Sequence, residues 1–489
     1  MAGLLRRLLA SSAAYQASSV VSSLLALITL PLYTKYLTPA EMGYAETLLT
    51  AIILLSIVLR LGVGEAFVRF WFDDEDAARR RRLAHTATAW TLYVSTLVVA
   101  VLLPFAGPLS RALLDLDDAT LLAFGLLGLW AFTNLEIAYA LLRVQERRQV
   151  YIMASVSNVL LTVGLTVILV VVADDGARGY VLGNYAASTI VLLALWVHER
   201  RLVSFRPPHK LRALLAFGGP TVPADAAAFA LNVVDRSYLL HADSPAASGR
   251  YALAAKLSTV VIVAVRGFQA AWPPLAYSIT DEAQAARLYA RVTTAYVVVT
   301  GLVVVGVTLI GRWAVRLLTT DPAYDGASAA LPWVALGWAL FGLMLVLVTV
   351  AGRARVTTRN FPATAAGLAV NVVLLVLLVG PLGIAGAGIA LCGAYVVILL
   401  VLHLLTRHLF TVPFETGRLV RIIGVLAAVA VIGELVLPTD GAAGLISRLA
   451  AFALAPVLLV AVRGVSIGEV RAVLRPAPAE ERAAAPTAS

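Results

Sequence analysis

TLLTAIILLSIVLRLGVGEAFVRF, residues 47–70, is an uncharged apolar run that passes without a turn signal into a segment holding Arg60, Glu65 and Arg69. Its first half has the character of a lipid-facing helix. A helix running from about Tyr44 to Phe72 has its middle near Val58, which puts Arg60 roughly 3 Å of helix rise from a bilayer midplane. A cation at that depth costs about 2.5–3.5 kcal/mol even on insertion-based scales, so it needs a partner, a water-filled cavity or a function.

The rest of the chain belongs to the same solvent. Of 489 residues, 61% are hydrophobic and 13% charged, and the mean hydropathy is +0.90. Soluble domains carry about 25% charged residues, so this composition suits lipid. The formal charge of +10 does not indicate nucleic-acid binding, because the arginines stand in short clusters between apolar runs and no basic segment is large enough to fold alone. A single cysteine, Cys392, excludes a disulfide framework and multi-cysteine metal sites. The start, MAGLLRRLLASSAAY, is charged like a signal peptide, but the apolar run continues to Leu32 without a clear cleavage site. An uncleaved first span is therefore expected.

Apolar runs of spanning length recur at about 12–33, 44–70, 85–105, 119–142, 150–173, 179–197, 213–241, 250–274, 290–311, 327–351, 362–380, 383–406, 419–437 and 443–463. The pattern predicts an all-α membrane protein with about 14 transmembrane helices. With the N-terminus in the cytoplasm, the inner segments collect Arg6 and Arg7, Arg79 to Arg82, Arg143, Arg147 and Arg148, the Arg200–Arg212 group, Arg287 and Arg291, Arg353 to Arg359, Arg407 to Arg421 and Arg463 onward. The outer segments hold Lys35, Arg111, Arg178, Arg250, Arg312, Arg316 and Arg448. This asymmetry satisfies the positive-inside rule and predicts both termini in the cytoplasm of a cell (inner or plasma) membrane. No segment between spans is long enough for a soluble catalytic or nucleotide-binding domain. The Pro/Ala-rich tail is expected to be disordered.

An internal repeat organises the ladder. TPAEMG (Thr38–Gly43) precedes span two and SPAASG (Ser244–Gly249) precedes span eight, at an offset of 206 positions, and the same offset carries Arg60 onto Arg266. GARG (Gly176–Gly179) and GIAG (Gly383–Gly386) match at an offset of 207, and spans five and eleven share an Arg-polar opening followed by Asn-Val-x-Leu-Leu. Two parallel six-helix repeats with substrate held between them are the transporter arrangement this implies. The predicted organisation is 1–200 as the first lobe, 201–408 as its repeat, 409–465 as helices 13 and 14, and 466–489 as the cytoplasmic tail. Arg60 and Arg266 then occupy matching places facing one central cavity; the alternative is that each is a packing arginine capped by a carboxylate.

Other polar residues fall inside spans. Glu65 and Arg69 form an i, i+4 pair that suits a structural ion pair. Span seven is broken by Pro220 and Pro223, as expected of a moving helix, and carries Asp225, Asn232, Asp235 and Arg236. Asp225 is a candidate cation or proton site. Asp235 could pair locally with Arg236 or with Lys256 of span eight, or serve the cavity. Glu136 and Glu434 are lone acids that call for a proton or a cap. GPLGIAGAGIA lacks the strand and the Lys-Ser/Thr of a phosphate loop and suits close helix packing. The six histidines show no metal-ligand spacing, and neither a Walker motif nor a Ser/His/Asp arrangement is present, so no cofactor, metal or catalytic residue is expected.

LPLYTKYLTPAEMGYAET, RLGVGEAFVRFWFDDEDAARRRR, GIAGAGIA and the 6+6+2 arrangement together resemble the oligosaccharide flippases of bacterial polysaccharide synthesis, within the superfamily that includes lipid II flippases and MATE multidrug exporters. The resemblance covers essentially the whole chain. It implies a V-shaped pair of six-helix lobes around a cationic cavity, alternating access, and a polyprenyl-pyrophosphate-linked oligosaccharide moved from the cytoplasmic to the outer leaflet. Arg60, Arg266, Arg236 and Lys256 are then the candidate pyrophosphate-binding cations, since arginine suits bidentate phosphate contact. Asp225, Asp235, Glu65 and Arg69 are candidate coupling or ion-pair residues, and helices 13 and 14 a candidate lipid-tail groove. Span one has no arginine where some lipid II flippases carry one, which makes lipid II itself a less expected cargo. A MATE-like cation-coupled drug exporter shares the fold and stands as the second reading; a lipid II flippase or a membrane glycosyltransferase or polymerase ranks below it. Expected partners are the lipid-linked substrate, the bilayer, and the glycosyltransferases and polymerase of the same synthesis, with the protein itself monomeric and without nucleic acid.

Overall fold

The structure is a computed structural model and describes residues 28–73, 76–200, 211–279, 281–353 and 357–466. Most of the expected first span and the C-terminal tail lie outside them. The helices are α1 (Leu30–Tyr36), α2 (Pro39–Arg60), α3 (Val63–Asp73), α4 (Ala77–Leu102), α5 (Ala106–Leu114), α6 (Ala119–Val144), α7 (Arg148–Val167), α8 (Gly176–His198) and α9 (Leu211–Gly218). They continue with α10 (Val222–Ala230), α11 (Val234–Ala242), α12 (Pro245–Leu257), α13 (Thr259–Ser278), α14 (Glu282–Leu318), α15 (Leu331–Arg353), α16 (Asn360–Thr406), α17 (Thr416–Val436) and α18 (Gly441–Ala461). Among the described residues no strand occurs. Among the described residues, 11 helices are long and apolar enough to cross a membrane, or 12 with the bent α12–α13 pair counted as one span. Helix α16 holds two of the expected spans, which meet at Gly383 where φ is 55° and ψ −135°.

Three expected spans are more broken than their hydropathy suggests. The run from Tyr44 to Phe72 is two helices, because Leu61 and Gly62 both take left-handed backbone, with φ of 47° and 67°. Arg60 is therefore the last residue of α2, next to a break, rather than a residue in mid-helix. Span seven divides into α9, α10 and α11, with a short 3-10 turn at Gly219–Thr221 beside Pro220 and a second break before Val234. Span eight bends by 46° at Ser258. Hydropathy registers none of these breaks, since each apolar side chain stays in apolar surroundings on either side of the turn.

The repeated motif is a helix start joined to a crossing point. Thr38 caps α2: its Oγ1 accepts from the Glu41 amide at 3.2 Å, and its own amide donates to Glu41 Oε2 at 2.8 Å, a capping box with Pro39 in the first turn. Ser244 caps α12 in the same way, accepting from the Ala247 amide at 3.1 Å, with Pro245 in the first turn. The glycine that ends each motif faces the proline that begins the other. A Cβ on Gly43 would sit 2.0 Å from the Pro245 carbonyl oxygen, and one on Gly249 1.8 Å from that of Pro39. Helices α2 and α12 thus cross backbone to backbone, and the reciprocity is what two copies of one unit related by a twofold axis produce. The second pair of anchors agrees: Gly176 and Gly383, 207 positions apart, both have positive φ, 47° and 55°. Each is followed three residues on by a glycine, Gly179 or Gly386, packed on the backbone of Leu169 or Leu378.

Away from these contacts the helices turn apolar side chains outward. Leu97, Met153, Val197, Leu377, Val420, Leu435 and Ile446 are all exposed, which suits lipid rather than water. The described residues form two compact units, one within 28–279 and 311–411 and the other within 281–310 and 412–466. The second unit has its own core of Val305, Leu309, Ile422, Leu426 and Leu459. Within it Arg448, expected in an outer loop, is a fully buried residue of α18. It pairs with Glu434 and donates to the carbonyls of Pro438 (3.0 Å), Leu309 (3.3 Å) and Leu437 (3.4 Å). The lone acid of span thirteen therefore has an arginine as its cap.

The crossing of α2 and α12 leaves no room for a side chain at Gly43, whereas nothing lies within 4 Å of a Cβ on Gly424 in α17. Gly43→Val is expected to lower the thermal midpoint of the purified protein, at a cost of about 1–3 kcal/mol from overpacking. Gly424→Val should leave the midpoint near that of the parent. Equal midpoints for the two variants would contradict the close crossing.

Candidate functional site

Seven residues beyond the capped start of α2, about 10 Å along its axis, stands Glu46, only 6% exposed. A carboxylate this deep requires partners, and three arrive from other helices. Lys256 Nζ of α12 lies 2.5 Å from Glu46 Oε1, and Arg236 Nη1 of α11 lies 3.5 Å from Oε2. The Tyr180 hydroxyl of α8 donates to Oε1 at 2.9 Å and accepts from Lys256 Nζ at 2.6 Å. The ammonium also lies over the Tyr180 ring, 5.1 Å from its centroid. Two cations from the second repeat thus share one carboxylate of the first, and Arg236 is also within electrostatic range of Asp235, its neighbour in the chain. The Thr47 and Ser248 hydroxyls, 3.2 Å apart, close the same seam between Glu46 and the glycine crossing.

The two cations are satisfied unequally. Lys256 has two close partners. Arg236 has the single long contact to Glu46, and its buried Nε has no hydrogen-bond partner among the described residues. Its neighbour Asp235 is fully buried and accepts from the Tyr251 hydroxyl at 2.6 Å, and the buried Asn371 side chain of α16 lies beside it. A buried polar atom such as the Arg236 Nε costs about 1–3 kcal/mol if left without a partner, so this corner favours occupation by water. Among the described residues no three His, Cys, Asp or Glu side chains gather as a metal site.

A second polar group lies at the far end of α2. Arg60 Nε donates to the Ser56 carbonyl at 3.3 Å, and its Nη1 stands 3.7 Å from Glu136 Oε2 of α6. Asp225, exposed on α10, is within electrostatic range of Glu65 and Arg60. Here too the backbones close up, since a Cβ on Gly62 would meet the Gly218 carbonyl oxygen at 2.0 Å.

The residues singled out from sequence therefore fall into separate places. Arg236 and Lys256 come together on Glu46, and Arg236 is also within electrostatic range of Asp235. Arg60 has Glu136 beside it, so the lone acid of span four is matched by the cation of span two. Arg266 is exposed on α13, and Glu65 and Arg69 are exposed on α3. Glu46, Tyr180, Tyr251 and Asn371 escaped sequence reading. Glu46 is an acid two residues after the first apolar positions of its span, where hydropathy treats it as a membrane-edge residue. The available signal was an excess of cations in spans seven and eight facing an acid in span two.

The family model described as polysaccharide biosynthesis protein matches residues 8–278, more than half of the chain. No curated protein matches. Among solved structures, a lipid II flippase MurJ in an inward closed conformation is similar with a TM-score of 0.73 at 14% identity, covering 94% of this chain and 99% of that one. A multidrug resistance MATE family transporter of the MOP superfamily, inward-facing, gives a TM-score of 0.64 at 16% identity, covering 79% of this chain and 94% of the other. A MOP superfamily transporter from Pyrococcus furiosus, described as having a binding pocket of reverse polarity, gives 0.56 at 18% identity, covering 83% and 94%. At these identities the likeness is one of fold.

If Glu46 and Lys256 stabilise one another across the seam, their effects on stability should not add. Glu46→Ala and Lys256→Ala each leave a buried charge short of a partner, a change worth about 3–5 kcal/mol in buried pairs. In thermal or denaturant unfolding of the detergent-solubilised protein, the double variant should lose less than the sum by about 1–3 kcal/mol. Strictly additive losses would show that the contact contributes nothing.

Proposed function

The chain belongs to the polysaccharide biosynthesis protein family, and on that premise we propose that it is a flippase that moves polyprenyl-pyrophosphate-linked oligosaccharide units from the cytoplasmic to the outer leaflet of the cell membrane. It works as a secondary transporter of alternating access, between a first lobe of residues 1–200 and its repeat over 201–408. The observation that carries this reading is the meeting of two cations where the repeats join: Arg236 and Lys256 come to a single carboxylate, and the buried Arg236 Nε has no hydrogen-bond partner among the described residues. The linkage group of the substrate is a pyrophosphate diester with two ionised oxygens, which such cations neutralise and which an arginine fork can grip by two oxygens. The fold alone does not choose the cargo, because structures of this fold include both a lipid II flippase and multidrug transporters. Both chain ends and the Arg79–Arg82 cluster face the cytoplasm in this reading, which puts the Glu46 seam toward the outer leaflet. The glycosyltransferases that build the unit and the polymerase that consumes it are the enzymes such a step serves.

Flipping of a fluorescent lipid-linked oligosaccharide in proteoliposomes, normalised to the amount of protein inserted, tests the role of the arginines. Arg60→Ala and Arg266→Ala should each lower specific transport about ten- to a hundredfold, the worth of a charged hydrogen bond. Lysine should rescue only in part, since it keeps the charge and loses the fork. If the arginines only pack against carboxylates, as the Glu136 contact of Arg60 would allow, protein yield falls and transport per molecule stays unchanged.

Coupling falls to Asp235, a fully buried carboxylate that accepts from the Tyr251 hydroxyl and lies beside the Asn371 side chain, with Asp225 as the exposed acid of the same broken span. Asp235→Asn removes the charge and keeps the shape. Its transport should lose the dependence on an imposed proton or sodium gradient that the parent shows. Full gradient dependence in an Asp225→Asn, Asp235→Asn double variant would dismiss both acids.

A further inference from the structure

The geometry points to Glu46 as a resident stand-in for the substrate's anion: it occupies Arg236 and Lys256 while the seam is closed, and a pyrophosphate displaces it, so that binding itself releases the tie between the two repeats. This rests on the proposed pyrophosphate cargo and adds to it a positioning residue and the reason why opening waits for substrate.

Three observations carry it. The first is that the tie crosses the seam. Glu46 belongs to α2 of the first repeat and both cations to α11 and α12 of the second, beside the Gly43–Pro245 and Gly249–Pro39 crossing. Separating the helices there must break these contacts. The second is that the fit is incomplete. The Glu46 carboxylate is shared between two cations, and Arg236 reaches it only at 3.5 Å with its buried Nε unpartnered. A guanidinium has five donors in a planar fork, and an anion with more oxygens and a second charge satisfies it better than a carboxylate can. The third is that Glu46 has somewhere to stay. The Tyr180 hydroxyl donates to it from within the first repeat, so the carboxylate keeps a hydrogen bond when the cations leave. Without that donor the displaced acid would be a buried unpaired charge, and displacement would be unfavourable. A tethered carboxylate at high effective concentration also excludes weak competitors, so carboxylates and neutral lipids do not open the seam while a diphosphate does.

The probe is geranylgeranyl pyrophosphate, with geranylgeraniol as the uncharged control, and two readouts separate this inference from the reading beneath it. In equilibrium binding to the purified full-length protein, Glu46→Gln should bind the pyrophosphate about tenfold more tightly than the parent, because the competitor is gone while its hydrogen-bonding shape remains. Arg236→Gln should bind more weakly. The second readout is the seam itself. Thr47→Cys with Ser248→Cys, in a Cys392→Ser background, places two thiols where two hydroxyls stand 3.2 Å apart. Oxidative cross-linking should be rapid without ligand, slowed severalfold by saturating geranylgeranyl pyrophosphate, and unaffected by geranylgeraniol. With Glu46→Gln added it should be slow from the outset. If the parent binds the pyrophosphate but Glu46→Gln binds it no better, the displacement idea fails and the flippase reading survives. If the parent binds no pyrophosphate at all, both fail together. Should Glu46→Gln not fold, the cross-linking of the two-cysteine protein still decides, and a rate indifferent to bound pyrophosphate overturns the inference.

Discussion

A carboxylate and two cations inside an apolar bundle are tolerable only together. In water Glu46, Arg236 and Lys256 would gain little from one another; away from water each would be costly alone, and the contact between them decides whether the helices that carry them can lie side by side. The surrounding structure is arranged for that contact. Gly43 and Gly249 remove the side chains that would hold α2 and α12 apart. Thr38 and Ser244 start both helices at a defined residue, which sets the register in which Glu46 meets Lys256. Tyr180 closes the remaining side of the carboxylate with a hydroxyl that is donor to one partner and acceptor from the other.

Two arginines in apolar helices differ in how far their donors are satisfied. Arg448 is wholly enclosed and spends its fork on Glu434 and the carbonyls of Pro438, Leu309 and Leu437, so no further anion has donors to find. Arg236 is a little exposed, reaches one oxygen at long range and keeps a buried Nε unpartnered. Both lie in apolar helices, and a hydropathy plot treats them alike. The difference is in what their donors meet.

The two ends of α2 close differently. At one end the reciprocal glycines and the Glu46 tie hold the repeats together through charge and backbone contact. At the other, Gly62 and Gly218 bring the backbones together, while Arg60 is matched by Glu136 of its own repeat and Asp225 stays exposed nearby. An ion pair across a seam resists separation, and one within a repeat does not.

Sequence by itself determined the solvent, the element type and the repeat. Apolar runs of spanning length with 13% charged residues admit only helices in lipid, because backbone groups there must be satisfied within the segment. TPAEMG and SPAASG announced the duplication, since helix caps and crossing glycines are local requirements that recur wherever the unit recurs. Cations were legible as candidates for the same reason that they are expensive. Their partners were not. The break at Leu61–Gly62, the bend at Ser258, the enclosure of Arg448 and the meeting of Glu46 with Arg236 and Lys256 all depend on which helices become neighbours. Glu46 lies 190 residues from Arg236 and 134 from Tyr180, and no periodicity along the chain carries information across that distance. Only the packed bundle, by excluding water from the seam, turned an acid near the start of an apolar run into the residue on which two cations of the other repeat converge.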